Sequence, residues 1–284
     1  MKAKASIIFL TKNGGSLFID SLNSVLSQIV NFVYEVIVVD SGSTDETMDL
    51  VKCKPVKYYT IRPEDFNFGA TRDYGFSLAE GEIVIAISQD AVPADNGWLQ
   101  NLIDRFVDES VSVVQGADVL PYDRQLFFWD KAGLFYFTRE CQRWSKQYNG
   151  IGISFTCCAI RRSVWEKNRL GRVPMSEDKI FQRNIVTKGH KIVFAENARC
   201  YHSHMYSLSS LRKRCENEGL GWRIAGNYYS FVDMVRDLCN LRVLTSWLYG
   251  LKSGQIRSVA ELLFPLVRPV CVFKGNKLTK NFVR

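Results

Sequence analysis

The chain has 284 residues, 46% hydrophobic and 23% charged, with a net charge of +8. That is the composition of an ordinary globular protein with a sizeable core, and no uninterrupted apolar run reaches the ~18–20 residues of a spanning helix. The charge is unevenly placed: 24 basic residues balance 24 acidic ones up to Tyr206, whereas Ser207 to Arg284 holds 13 Lys and Arg against 5 Asp and Glu. A neutral body with a basic tail suggests that the tail meets something anionic.

Ser6 to Leu10 reads as a buried strand closed by the polar turn Thr11-Lys12-Asn13-Gly14-Gly15. Leu17 to Val30 follows with Leu22, Val25, Leu26 and Ile29 on one helical stripe. Tyr34 to Val39 is a second continuous apolar strand, ending in Asp40-Ser41-Gly42-Ser43-Thr44-Asp45, where Ser43 or Thr44 suits a helix N-cap. Tyr58 to Ile61 is a weaker strand, and Phe66-Asn67-Phe68-Gly69 opens a helix that carries Arg72 early. Ile83 to Ile87 is short, β-branched and unalternated, as expected of a strand buried on both faces. It stops at Ser88-Gln89-Asp90. Asn96 to Val107 reads as a helix, Ser112 to Gln115 as a strand, and the aromatic-rich Gln125 to Gln147 as helical. Lys191 to Ala195 and Ala198 to Tyr201 read as late strands, and the pattern from Ser209 onward is helical, interrupted at Gly250, Gly254, Pro265 and Pro269. Strands alternating with helices, each strand ending in a polar loop, predict an α/β fold with a mostly parallel sheet.

Such a sheet gathers its chemistry at the carboxyl ends of its central strands. Asp40 and Asp90 both lie there, a pair suited to a nucleotide: one carboxylate for the base or ribose, the other for a divalent cation on the diphosphate. Either residue serves equally as a loop or helix cap. Glu177-Asp178 offers a general base, or a helix start favoured by the dipole. In Tyr201-His202-Ser203-His204, two of the chain's three histidines share one face of an extended segment, a workable metal-ligand spacing. His190 is assigned to the surface. The eight cysteines include no Cys-x-x-Cys pair, and Met1 to Ala5 lacks the apolar core of a signal peptide. All eight are therefore read as reduced and mostly packed, in a cytoplasmic protein.

As a set these motifs resemble the family 2 glycosyltransferases of the GT-A fold, over roughly Ser6 to Gly221. Ile7 to Asn13 is similar to the family's opening strand and loop, and Val38 to Asp45 to its nucleotide-binding signature. Gly81 to Asp90 resembles the strand leading to the metal-binding Asp-x-Asp motif, with Ser88 in the first Asp position, and Glu177-Asp178 matches the Glu-Asp pair. Phe66 to Gly69, Ser88 to Asp95 and Tyr201 to His204 resemble the bacterial rhamnosyltransferase-like members. The resemblance implies an inverting, metal-dependent transfer from a nucleotide diphosphate sugar, L-rhamnose being favoured. The acceptor would be a hydroxyl of a surface-glycan or lipid-linked glycan. It implies Asp178 as catalytic base beside Glu177, and Thr11, Asn13, Asp40, Ser41, Arg72, Gln89 and Asp90 on the nucleotide sugar. Mg²⁺ or Mn²⁺ would sit at Asp90 with His202 or His204.

On this reading residues 1–221 form the catalytic domain and 222–284 a basic, apolar helical tail, whose Phe231, Met234, Val235, Leu238 and Leu241 share a stripe. The tail packs on the body, forms a homodimer, or attaches to the inner leaflet with Arg257, Lys274, Lys277 and Lys280 at its flanks. Two rival classes are a nucleotidyltransferase acting on sugar phosphates and a non-enzymatic basic membrane-surface adaptor. The first wants a Gly-rich basic loop, which Asn13-Gly14-Gly15 beside Lys12 supplies poorly. A nucleic-acid partner is not expected, since Arg212-Lys213-Arg214 is the one dense basic cluster and no nucleic-acid motif accompanies it.

Overall fold

The computed structural model describes residues 3–278. In chain order, β1 (Ala5–Thr11), α1 (Gly15–Leu26), β2 (Tyr34–Asp40), α2 (Thr47–Lys52), β3 (Lys57–Thr60), α3 (Phe68–Ser77) and β4 (Ile83–Ser88) form the alternating half. Next come β5 (Val92–Pro93), α4 (Trp98–Ile103), β6 (Val111–Val119), α5 (Phe128–Lys131), α6 (Arg139–Gln147), β7 (Cys157–Arg161), α7 (Arg162–Lys167), α8 (Glu177–Val186) and β8 (Lys191–Tyr201). Four helices close the described chain: α9 (Leu208–Ile224), α10 (Phe231–Leu238), α11 (Leu241–Lys252) and α12 (Val259–Lys277). Lys280, counted above among the basic flanks, lies outside the described residues.

The chain divides into two compact units. Among the described residues, the first runs up to Val119 and resumes from Ile153 to His202; the second holds Leu120–Gly152 and 203–278. The first unit contains one eight-stranded sheet in the order β3-β2-β1-β4-β7-β6-β8-β5. β1, β2, β3 and β4 are mutually parallel, β1, β2 and β4 being continuous apolar runs, while β7 lies antiparallel between β4 and β6. Successive residues of β1 feed opposite layers: Ile7 and Phe9 pack with Leu22, Val38 and Trp98, whereas Ile8 packs with Val39, Phe76 and Trp165.

Several sequence expectations shift for physical reasons. β8 is one strand rather than two; its register against β6 slips between Gly116 and Ala117, a bulge that absorbs Glu196 to Ala198. β7 was not anticipated as a strand, because Cys157-Cys158 carries little β signal. The aromatic segment 125–147 breaks into α5 and α6 around Gly133, whose φ is +64°. Neither Ser43 nor Thr44 caps α2, which begins after Glu46 without a side-chain cap. Pro265 and Pro269 do not interrupt α12 but lie inside it. All eight cysteines are free, although Cys53 and Cys239 are exposed rather than packed. His190 is half-buried, its Nδ1 3.0 Å from Ser112 Oγ.

The second unit is organised around the aromatic cluster, where Trp129 stacks on Phe264 with ring centroids 5.0 Å apart. α9 and α12 meet backbone to backbone: a Cβ on Gly219 would lie 2.1 Å from Val272 O, and one on Gly275 1.9 Å from Glu216 O. Only glycine permits that approach.

Candidate active site

The parallel register sets Thr11 opposite Asp40 and Leu10 opposite Ser88, so three polar loops leave the sheet side by side. They are stitched together. Thr11 Oγ1 and the Lys12 amide both donate to Gln89 Oε1, at 2.8 and 3.0 Å. Asn13, in the left-handed region at φ 49°, donates its amide to Ser43 Oγ (2.8 Å) and accepts from the Thr44 amide (2.8 Å). Ser41 donates its amide to Thr11 O at 2.9 Å. Asp40 is buried, and its carboxylate accepts from the Gly42 and Ser43 amides and from Ser43 Oγ. Its present work is to close this loop.

Asp90 does not cap α4; that helix starts after Gly97, whose amide donates to Asp95. β8 instead ends at Tyr201, paired with Val92, and the His202 amide donates to Val119 O at 3.0 Å. This carries His202 Nε2 to 3.6 Å from Asp90 Oδ1. With metal–ligand bonds of about 2.1–2.2 Å, that separation corresponds to an angle of about 110–120° at a shared cation. A carboxylate oxygen and an imidazole nitrogen so placed fit a divalent ion such as Mn²⁺. His204 follows two residues on, in the second unit, where its ring lies 5.8 Å from that of Tyr206.

Arg72 and Glu177, far apart in sequence, form a buried pair with Nε 3.3 Å from Oε1. The guanidinium lies 4.8 Å over the Phe155 ring, and its Nη1 is buried with no hydrogen-bond partner in the protein. A buried, unsatisfied cationic donor demands an acceptor, and a phosphate or sugar oxygen meets that need. Burial raises the Glu177 carboxyl above the usual carboxylate range, against the opposing pull of Arg72. α8 starts abruptly. Ser176 sits at φ 55° and makes no side-chain cap, and Glu177 and Asp178 occupy the first turn, where the helix dipole favours them. Asp178 is half-buried: Oδ1 accepts from the Lys179 amide at 2.7 Å, and Lys179 Nζ is 3.6 Å from Oδ2. Lys179 Nζ also donates to Ile153 O.

Two further residues stand out in the structure that sequence reasoning passed over. Asp73 accepts from Trp165 Nε1 (2.7 Å), the Leu170 amide (3.1 Å) and the Gly171 amide (2.8 Å), tying α3 to the segment that leads into α8. Asp118, near the end of β6, is an exposed residue by surface area, yet its carboxyl is enclosed enough that desolvation pushes it up to about 6. Lys179 opposes that rise and the charge of Asp90 adds to it. Asp118 carries a weak signal, an Asp following Gly116 at a strand end; Asp73 carries none that periodicity would reveal.

Carboxylates at parallel strand ends, a cation-compatible pair and an orphaned guanidinium donor thus lie on one α/β sheet and its flanking helices. Residues 6–169 match Glycosyl transferase family 2. The chain belongs to that family and is a glycosyltransferase with the GT-A fold. Among its relatives, the O-antigen chain rhamnosyltransferase RfbN of Salmonella typhimurium is 28% identical over 215 residues, 72% of this chain and 68% of that protein. The O-antigen chain rhamnosyltransferase WbaN of Salmonella anatum is 26% identical over 212 residues, 71% and 67% of the two chains. In structure the chain is similar to the mannosyltransferase PcManGT of Pyrobaculum calidifontis, solved with GDP-Man and Mn²⁺. Its TM-score is 0.62 and its identity 15%, covering 97% of this chain and 86% of that one. Glucosyl-3-phosphoglycerate synthase of Mycobacterium tuberculosis, solved with Mn²⁺, UDP and phosphoglyceric acid, gives a TM-score of 0.61 at 15% identity and 78% coverage of both chains.

Proposed function

We propose that this enzyme moves a sugar, L-rhamnose first among the candidates, from a nucleoside diphosphate donor to a hydroxyl of a surface-glycan or lipid-linked acceptor, with inversion at the anomeric carbon. The observation that carries the reading is the Asp90–His202 pair, 3.6 Å apart at the strand ends beside the stitched Thr11–Gln89 and Asn13–Ser43 loops. The names of the Salmonella relatives favour rhamnose and a glycan chain as acceptor. Thr11, Asn13, Asp40, Ser41 and Gln89 line the nucleotide side, and Arg72 Nη1 takes an oxygen of the donor. Asp90 and His202 would hold a divalent cation, which when bound supplies positive charge for the departing diphosphate.

Asp178 accepts the proton of the acceptor hydroxyl as that oxygen attacks the anomeric carbon from the face opposite the nucleotide. One in-line displacement inverts the centre. Lys179, beside both the Asp178 carboxylate and Ile153 O, orients the base. Glu177 is ion-paired to Arg72 and supports the base without touching the reacting hydroxyl. The reaction belongs on the cytoplasmic side, where nucleotide sugars are made, with a lipid-linked acceptor met at the inner face of the membrane.

Donor hydrolysis with a panel of nucleoside diphosphate sugars, with Mn²⁺ or Mg²⁺ and with chelator, tests this reading. Release of nucleoside diphosphate from a rhamnose donor, lost on chelation, is expected. Release of pyrophosphate from a nucleoside triphosphate and a sugar phosphate would indicate the nucleotidyltransferase alternative instead.

A further inference from the structure

α12 buries polar side chains among its inward apolar ones: Glu261 and Arg268 are 1% and 0% exposed, and Asn276 is also buried, alongside Phe264 and Val272. Each has hydrogen-bond partners there. Glu261 accepts from the amides of Phe128, Arg257 and Ser258, and Arg268 donates twice to Glu218, at 2.8 and 3.2 Å. Asn276 donates to Gly219 O and accepts from the Tyr229 amide. The outward face instead carries Val259, Leu262, Leu266 and Val270, all exposed and spaced three or four residues apart, hence one stripe.

An outward apolar stripe also runs along the preceding helix, where Leu241, at 76% exposure, Leu248 and Leu251 share a face, with Tyr249 exposed beside it. An ordinary surface helix turns such a stripe toward the core. Contiguous exposed apolar surface of this kind marks an interaction site.

The charge on these helices says what covers it. Between Phe231 and Leu278 the chain has three acidic residues, Asp233, Asp237 and Glu261, and none is exposed. Asp233 is held by Ser230 and Arg143, and Asp237 by Tyr229 and the Arg139 amide. The exposed charges of this stretch are all basic, including Arg236, Arg242, Lys252 and Arg257. Two copies of this face would oppose cation to cation with no acid between them. Apolar stripes with a purely basic rim complement an anionic lipid surface, where leucine enters the acyl boundary and tyrosine sits at headgroup level. No helix among the described residues is long and apolar enough to cross a membrane. We infer that the outward faces of α11 and α12 dock this enzyme in the plane of an anionic bilayer, reversibly. This deepens the reading of a lipid-linked acceptor, since such a face would bring the enzyme to the surface that presents it.

Flotation of the full chain with vesicles, in the absence of nucleotide and sugar, tests the docking independently of the reaction. Equimolar phosphatidylcholine–phosphatidylglycerol vesicles at low salt should carry the protein, and phosphatidylcholine vesicles should not. The double variant Leu248→Glu/Leu266→Glu changes only exposed side chains, so it should melt and hydrolyse donor as the parent does while losing about tenfold or more in partitioning. Lys252→Gln/Arg257→Gln should lose about 25-fold, about fivefold for each charge, and raised salt should produce the same trend. Absence of flotation at low salt, or equal flotation of the leucine variant, overturns the inference. So does a parent that is dimeric in solution and that Leu266→Glu renders monomeric, which would assign the face to self-association. Vesicle binding with no donor hydrolysis would instead leave the docking intact and sink the proposed reaction.

Discussion

Asp73→Ala should destabilise the first unit by about 3–4 kcal/mol, a figure assembled from the three donors that it strands. Trp165 is 1% exposed, so its indole N–H is left buried without an acceptor, at about 2 kcal/mol. The Leu170 amide, on a buried residue, adds about 1 kcal/mol, and the Gly171 amide, which water reaches, about half that. The consequence extends to the site, because the same segment is pinned a second time. The Gly69 amide donates to Val173 O at 3.2 Å, and a Cβ on Gly69 would lie 2.2 Å from Gly171 O. Three residues after Val173 the chain enters the left-handed turn at Ser176 that aims Glu177 and Asp178. Loosening 168–174 should therefore lower kcat more than it raises donor KM. Asp73→Asn keeps an oxygen for Trp165 and Leu170 but turns an NH₂ toward the Gly171 N–H, so about 1–2 kcal/mol is expected. Urea unfolding reads the midpoint at unchanged m. A loss below about 1 kcal/mol for Asp73→Ala, with kcat intact, would refute the reasoning.

Asp90→Ala should abolish the Mn²⁺ dependence of nucleoside diphosphate binding in calorimetry. His202→Ala should weaken it by at least the about 10–100-fold typical of losing a supporting group around a metal; unchanged metal dependence in both would remove the pair as ligands. In the second unit, burial pushes the Glu140 carboxyl up to about 7, with the charge of Arg268 opposing. Between the ordinary carboxylate range and pH 7 the folded state holds a proton that the unfolded chain releases, so stability falls as pH rises through that window. Glu140→Gln should flatten the fall, which is on the order of 3 kcal/mol; an unaltered pH–stability profile in that variant would show that Glu140 does not set it.

The parallel half of the sheet was legible because β1, β2 and β4 are continuous apolar runs closed by polar turns, a pattern with few other solutions. The rest was harder because its determinants are not local. β7 is a strand because β4 and β6 flank it, not because Cys157-Cys158 favours one. The apolar stripe read from Phe231 to Leu241 exists in the sequence, but Phe231, Val235 and Leu241 are exposed, since periodicity reports amphipathicity and not which side the core takes. At the site, Asp40, Asp90 and Glu177-Asp178 were visible as polar breaks after apolar runs or at a helix start. The Arg72–Glu177 pair, 105 residues apart, and the three donors on Asp73 were not, because each depends on loops brought together by the fold.

The central claim is that Asp178 takes the proton from the attacking hydroxyl, and Asp178→Asn tests it most directly. Transfer to acceptor and donor affinity would be measured on the same preparation, with the melting temperature as a check on folding. Transfer should fall by about 10²-fold or more, the usual scale of a lost general base, while donor binding stays at the parental value. Near-parental transfer at saturating acceptor would contradict the account and remove Asp178 from the chemistry.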